Sequence, residues 1–168
     1  MGLREQLEES VRTLAVELID KFATTGSAEL HEQFCVPLPC LTFLRLVGAP
    51  IEDMDFFIEF KNGAVHPKGD TVEEMDANMM ASGAKLLEYF ATFLVKRREE
   101  TEQADDIISS LIWTEVEGER LSPMEMASFF ILLAAAGNET TRNAISHGTW
   151  LLHEHPEQKA DWMANRGE

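Results

Sequence analysis

The spacing of apolar positions predicts a chain built almost wholly of helices. Near the start, apolar residues recur every three or four positions, which is typical of an amphipathic helix, here ending near Gly26. The breakers between residues 63 and 70 predict a loop. Shorter and longer helices are predicted after Pro39 up to Gly48, over 52–62, over 72–99 and over 105–113.

The longest predicted helix lies in the C-terminal half of the chain. Ser122 is followed by Pro123 at the first helical position and by Glu125 three residues on, which is the pattern of a capping box. From this cap the helix is expected to run to about His153, and Pro156 starts a last one.

Between the shorter helices and this long one, residues 114–121 predict a tight two-stranded hairpin around Gly118. No repeat, linker or low-complexity tract interrupts the sequence. We therefore expect an all-α fold with one small hairpin, and a single domain over residues 1–168 that forms only part of a larger fold, for the reasons given below.

The composition excludes several classes of function. The chain has 168 residues, 45% of them hydrophobic, and 14 basic residues against 30 acidic ones give a net charge of −16. Such an acidic surface argues against binding nucleic acid or anionic membranes. The apolar run 127–137 is far shorter than the roughly 20 residues that span a bilayer, and the charged start lacks the apolar core of a secretion signal. We expect a cytoplasmic protein.

The long helix carries an unfavourable sequence in its middle. Residues 136–141 read Ala-Gly-Asn-Glu-Thr-Thr between apolar stretches. Glycine costs about 1 kcal/mol in a helix relative to alanine, and a buried carboxylate needs partners. Because positions four apart share a face, Leu132, Ala136 and Thr140 form one stripe with Gly137 beside it. The Thr140 hydroxyl can bond back to the carbonyl of Ala136. This pattern indicates a ligand-binding site or a catalytic site.

Less specific interpretations stay open. The hexapeptide could be a packing kink, with an Arg142–Glu139 pair on a solvated face. The aromatic stripe of the 52–62 segment could be core, and a nearby methionine cluster could be pocket lining or packing. The residues concerned are Phe56, Phe57 and Phe60, and Met75, Met79 and Met80.

The hexapeptide resembles the oxygen-binding helix of the cytochrome P450 family, and the longer string 136–148 resembles its bacterial branch that hydroxylates sterol or terpenoid side chains. The resemblance covers nearly the whole chain, yet the family's chains are more than twice as long. This sequence is therefore expected to be an internal fragment. The further matching segments are 34–39, 46–53, 105–111, 117–122 and 155–158.

The resemblance implies a monooxygenase that uses haem, dioxygen and two electrons from a ferredoxin-type donor to hydroxylate an apolar steroid or terpenoid. It implies that Thr140 holds water at the oxygen site and that Glu139 relays protons from solvent. It also implies haem contacts from Ala136, Gly137 and Thr140, and substrate contacts from Leu132, Ala135 and Ala136. It places the aromatic stripe of the 52–62 segment where the roof of the substrate pocket would lie, as the alternative to core.

The family's cysteine loop, F-x-x-G-x-H-x-C-x-G, does not occur in this sequence. Cys35 and Cys40 lack its glycines and histidine, and they are expected to be small buried hydrophobes. No metal ligand is assigned to this chain, so the fragment alone is expected to be inactive. The alternative is a non-catalytic helical binding or interaction protein, or a decayed gene product.

Overall fold

Residues 3–99 and 106–165 are described by the computed structural model. Most of these residues lie in helices, including a π-helical turn at His31–Cys35 and a 3₁₀ turn at Ile51–Asp53. The all-α prediction is confirmed. The α-helices are α1 Leu3–Asp20, α2 Pro37–Val47, α3 Met54–Val65, α4 Val72–Glu99, α5 Ile107–Trp113, α6 Pro123–Glu154 and α7 Pro156–Ala164.

The predicted hairpin is present. Strand β1, Glu115–Val116, pairs antiparallel with β2, Glu119–Arg120. The two turn residues both have positive φ, 56° at Glu117 and 85° at Gly118. Two successive positive φ values give the type I′ turn, whose twist matches that of the flanking strands.

The first helix ends earlier than its apolar period predicts. It stops at Asp20 rather than near Gly26, and the residues between form turns in which Ala23 N–H bonds to the Ile19 carbonyl at 2.9 Å. The Thr25 hydroxyl donates to the Phe22 carbonyl at 2.8 Å. Threonine hydroxyls compete for backbone groups in this way, which favours turns over helix.

Other helix ends shift by a few residues. Helix α2 starts at Pro37, three residues before the predicted start after Pro39, because proline is tolerated in a first helical turn. Helix α3 continues to Val65. Helix α5 starts at Ile107, after Asp106 caps it by accepting the Ser109 N–H at 2.7 Å. The predicted start at Asp105 lies outside the described residues.

The core is a cluster of aromatic rings where α2, α3, α4 and α6 meet. Phe130 of α6 stacks on Phe90 of α4 with centroids 4.2 Å apart, and Phe43 of α2 lies 5.5 Å from Phe57 of α3. Burying each such ring stabilises the fold by about 2 kcal/mol. Phe57 and Phe60 therefore belong to this core.

Helix α6 has one packed side and one open side. Its packed side contacts α2, α3 and α4, and α7 follows at its C-terminal end. A second, smaller core forms where α1 meets α2, from Leu14, Leu18 and Leu38. Among the described residues, none of the helices combines the length and apolar character needed to cross a membrane.

Candidate functional site

The start of α6 is fixed by its cap. The Ser122 hydroxyl accepts the Glu125 N–H at 3.3 Å, and the Glu125 carboxylate accepts the Ser122 N–H at 2.9 Å. This reciprocal capping box is the one that the sequence predicts. It sets where the helix begins, and hence which side of α6 each later residue faces.

The stripe predicted from the sequence lies on the open side of α6. Leu132 is 62% exposed, and Ala136, Gly137 and Thr140 are exposed with it. Ala135, at the edge of the stripe, is half-buried. A Cβ built at Gly137 would meet nothing within 4 Å. The helix therefore presents small side chains and accessible backbone between Leu132 and Thr140.

Thr140 makes the predicted back-bond. Its hydroxyl donates to the Ala136 carbonyl at 2.7 Å. A hydroxyl has one proton and two acceptor lone pairs, so this bond uses the proton and leaves the lone pairs available. In this arrangement, Thr140 can accept a hydrogen bond from a small polar ligand on the open side.

The opposite side of α6 carries a buried amide. Asn138 is 5% exposed, and its side chain hydrogen-bonds to Cys40 of α2, whose thiol is fully buried. Burial raises the pKa of Cys40 to about 11, although the Asn138 bond and the Lys61 charge act in the other direction. Cys35 and Cys40 are both buried and unbridged, as the sequence predicts.

Glu139 lies at the centre of a group of cations. Lys61 Nζ of α3 is 3.5 Å from Glu139 Oε2, and Arg142 Nη2 donates to Glu139 Oε1. The exposed fractions are small, 4% for the Lys61 side chain, 13% for Arg142 and 17% for Glu139. The Arg142–Glu139 pair is thus confirmed, but the alternative interpretation that places it on a solvated face is wrong, because the pair is largely buried against Lys61 of α3.

A third basic group approaches Glu139 from solvent. His66 Nε2 is 3.9 Å from Glu139 Oε1, and its side chain is 66% exposed. Glu139 Oε2 is buried without hydrogen-bond geometry to any described residue, despite its ionic contact with Lys61. This carboxylate oxygen keeps capacity to accept another hydrogen bond.

Sequence reasoning missed Lys61 and His66 as partners of Glu139. A signal for Lys61 was available, since a lysine four residues after Phe57 lies on the same helix face as that aromatic ring and, when buried, requires a counter-charge. No comparable signal marked His66, because its approach to Glu139 depends on how α3 crosses α6.

The open stripe fits a flat, apolar cofactor. Ala136 and Gly137 carry no bulk that would hold a planar ring away from the backbone, and the Thr140 lone pairs lie beside them. Thr140 also lines a shallow hollow along α6 with Thr141, Ala144 and Ile145. Together these residues offer contact surface and a hydroxyl. They include none of the nitrogen, sulfur or phenolate groups that bind haem iron.

These features define a helical protein built around one long helix with a polar break and an open small-residue face. Comparison with known proteins gives the family. The chain is 37% identical over 166 residues to the methyl-branched lipid omega-hydroxylase of Mycobacterium tuberculosis, covering 95% of this chain and 38% of that protein. It is 35% identical over 157 residues to the steroid C26-monooxygenase of Rhodococcus jostii, covering 94% of this chain and 31% of that one.

Solved structures agree. A myxobacterial cytochrome P450 in complex with myristic acid superposes with a TM-score of 0.86 at 30% identity, over 99% of this chain and 41% of that one. A Mycobacterium marinum cytochrome P450 in complex with pseudoionone gives a TM-score of 0.83 at 31% identity, over 96% and 39%. No protein-family model matches the chain.

The chain belongs to the cytochrome P450 family. It spans less than half the length of the relatives that it matches, which agrees with the expectation of a fragment.

Proposed function

We propose that residues 1–168 are a partial domain, the central helical portion of a haem-dependent monooxygenase. Its substrate is apolar, of the steroid, terpenoid or branched-lipid type. The observation that carries the proposal is the open stripe of α6, where exposed Ala136 and Gly137 adjoin the Thr140 hydroxyl. The names of the two curated relatives support the substrate class.

Haem, when bound, supplies the iron at which dioxygen is activated with two electrons. On this chain, Ala136 and Gly137 provide its contact surface, together with the Thr140 side chain. Their small size allows close approach to the helix backbone. In the intact protein we expect a ferredoxin-type partner to deliver the electrons.

The substrate side of the stripe is formed by Leu132, Ala135 and Ala136. Leu132 offers an apolar side chain that is 62% exposed, and the two alanines leave space beside it. Burial of a rigid apolar ligand against such a surface is favourable by about 25 cal/mol for each Å² removed from water. A bulky hydrocarbon suits this shape better than a polar substrate does.

Thr140 binds water on the open side. Because its proton is committed to the Ala136 carbonyl, its oxygen acts as an acceptor and fixes the orientation of a water or of a protonated oxygen ligand. A hydroxyl is too weak an acid to be the source of protons, so a carboxyl group must supply them.

Glu139 is that carboxyl group. It adjoins Thr140 in the sequence, and its Oε2 lacks a hydrogen bond among the described residues. Lys61 and Arg142 hold the carboxylate toward α3. To reach the Thr140 side, the Glu139 carboxylate must rotate away from Lys61 and Arg142. The strength of these ion pairs therefore affects how readily Glu139 delivers protons.

The test uses the intact protein that carries this sequence, loaded with haem and supplied with a ferredoxin and its reductase. Under ¹⁸O₂, mass spectrometry of a 3-keto sterol and of a methyl-branched fatty acid should show product with one ¹⁸O atom. A protein that binds these compounds but transfers no labelled oxygen would refute the proposal and favour a non-catalytic binding role.

A further inference from the structure

His66 lies between solvent and the Glu139 carboxylate. It follows the last residue of α3, and its N–H bonds to the Asn62 carbonyl at 2.9 Å, which fixes its backbone. Its Nε2 is 3.9 Å from Glu139 Oε1. With 66% of its side chain exposed against 17% for Glu139, the imidazole is the outer member of the pair.

The solvent side of His66 opens into a groove. This groove runs between α3 and α4, has a volume of 540 Å³, and is lined in part by His66, Asn62 and Ser82. Water in this groove therefore meets the imidazole, whose other edge faces Glu139.

The three basic side chains around Glu139 are Arg142, Lys61 and His66, and they differ in their ability to release and regain a proton. Arginine does not deprotonate in proteins, so Arg142 serves as a fixed positive charge. Lys61 is 4% exposed and has no direct access to bulk water. Histidine is the side chain that ordinarily gains and loses a proton near neutral pH. Of the three, the exposed imidazole is the group suited to carry protons inward.

We propose that His66 is a positioning residue that acts through Glu139, by carrying protons from the α3–α4 groove to the Glu139 carboxylate. This inference rests on the proposed function, in which Glu139 relays protons to the oxygen site.

The proton balance is simple. The imidazolium Nε2–H gives its proton to Glu139 Oε1, so a cation and a carboxylate become a neutral imidazole and a carboxylic acid. Water in the groove then reprotonates the imidazole, and the carboxylic acid passes its proton onward and returns to carboxylate. The 3.9 Å separation exceeds hydrogen-bond range, and a shift of about 1 Å in the exposed side chain closes it.

Other charges face His66 and set its surroundings. On the inner side these are Glu139, Arg142 and Lys61. On the groove side Lys85 pairs with Glu59 at 3.2 Å, so this pair contributes little net charge. The remaining charged residues of the groove are Asp55 and Lys68.

The first experiment detects the contact between His66 and Glu139 without catalytic turnover. In the intact protein with ferrous haem and carbon monoxide, which is diamagnetic, histidine ¹⁵N spectra are compared with those of the Glu139→Gln variant. The Nε2 resonance of His66 should shift, while those of His31, His147, His153 and His155 stay in place. An unshifted His66 would overturn the proposal.

The second experiment measures proton delivery through the amount of peroxide released per electron consumed. His66→Ala should raise peroxide released per electron by at least about threefold, and added imidazole should restore coupling. His66→Lys keeps a positive charge but should not restore it. His155→Ala is the matched control, because His155 is an exposed histidine 3.6 Å from Glu157.

The outcomes separate the two proposals. Unchanged coupling in His66→Ala, with hydroxylation intact, would refute the role of His66 and leave the proposed function standing. An intact protein that binds no haem would refute the proposed function, whereas the effect of Glu139→Gln on His66 would still be measurable in the haem-free protein.

Discussion

Lys61 Nζ of α3 lies 3.5 Å from Glu139 Oε2 of α6, and 4% of the Lys61 side chain is exposed. This ion pair links α6, which carries the proposed oxygen-site residues, to α3. A buried charge without its partner is costly, so each member of the pair constrains the other.

Replacing Lys61 with methionine should destabilise the protein. The variant keeps the apolar stem but leaves Glu139 with Arg142 as its remaining close cation, and we expect a loss of about 2 kcal/mol in the free energy of unfolding. Urea titration measures it. Lys85→Met is the matched control, since its pair with Glu59 is exposed, and it should cost less than about 0.5 kcal/mol. Equal losses would show that burial of the Lys61 pair is energetically unimportant.

Much of this architecture could be predicted from local sequence. The capping box at Ser122 and Glu125, the hairpin turn at Gly118 and the Thr140 back-bond involve residues within a few positions of one another. Helix period and capping chemistry are local properties, which is why these predictions are confirmed. The stripe of small residues on α6 follows from the same reasoning.

What could not be predicted depends on contacts between distant segments. Lys61 and Glu139 are far apart in the sequence, and their pairing depends on where α3 crosses α6. The alternative interpretation of a solvated face for the Arg142–Glu139 pair is wrong for the same reason. The early end of α1 at Asp20 has a different cause. The apolar period continues past Asp20, but the residues that follow form hydrogen-bonded turns instead of helix.

Gly48 should be irreplaceable. It ends α2 with φ of 71°, and a Cβ there would overlap both Arg97 and Asp106, which are themselves paired. Gly48→Ala combines left-handed strain with disruption of that pair, so we expect a loss of about 3 kcal/mol. Gly26→Ala, at φ of 76° with nothing within 4 Å, should cost about 1 kcal/mol from strain alone. Similar unfolding midpoints for the two variants would contradict this.

The buried thiol predicts loss of stability at high pH. The folded pKa of Cys40 is about 11 against an ordinary value of 9.0, so the unfolded thiol ionises first as pH rises. The stabilising contribution is complete below pH 9 and is lost as pH rises through 11, amounting to about 3 kcal/mol.

Denaturant titrations between pH 9 and 11 measure this loss. The slope should be shallower in Cys40→Ala, and in the wild type the thiol should resist an aromatic disulfide reagent at pH 8 until the protein unfolds. Rapid labelling of folded Cys40 would contradict the assignment. Tyr89→Phe is the control for a second buried group, because burial and the Asp53 hydrogen bond also raise the pKa of Tyr89.

The most direct test of the account compares two threonines of α6. Thr140 and Thr149 both donate to the carbonyl four residues before them, at 2.7 and 2.8 Å, and both are exposed. In the intact, haem-loaded protein, product and peroxide are measured per electron consumed for Thr140→Ala and Thr149→Ala. We expect peroxide to rise by about tenfold in Thr140→Ala alone, because this variant loses the acceptor that we propose orients water. Unchanged coupling in Thr140→Ala, or an equal rise in both variants, would contradict the proposed oxygen site.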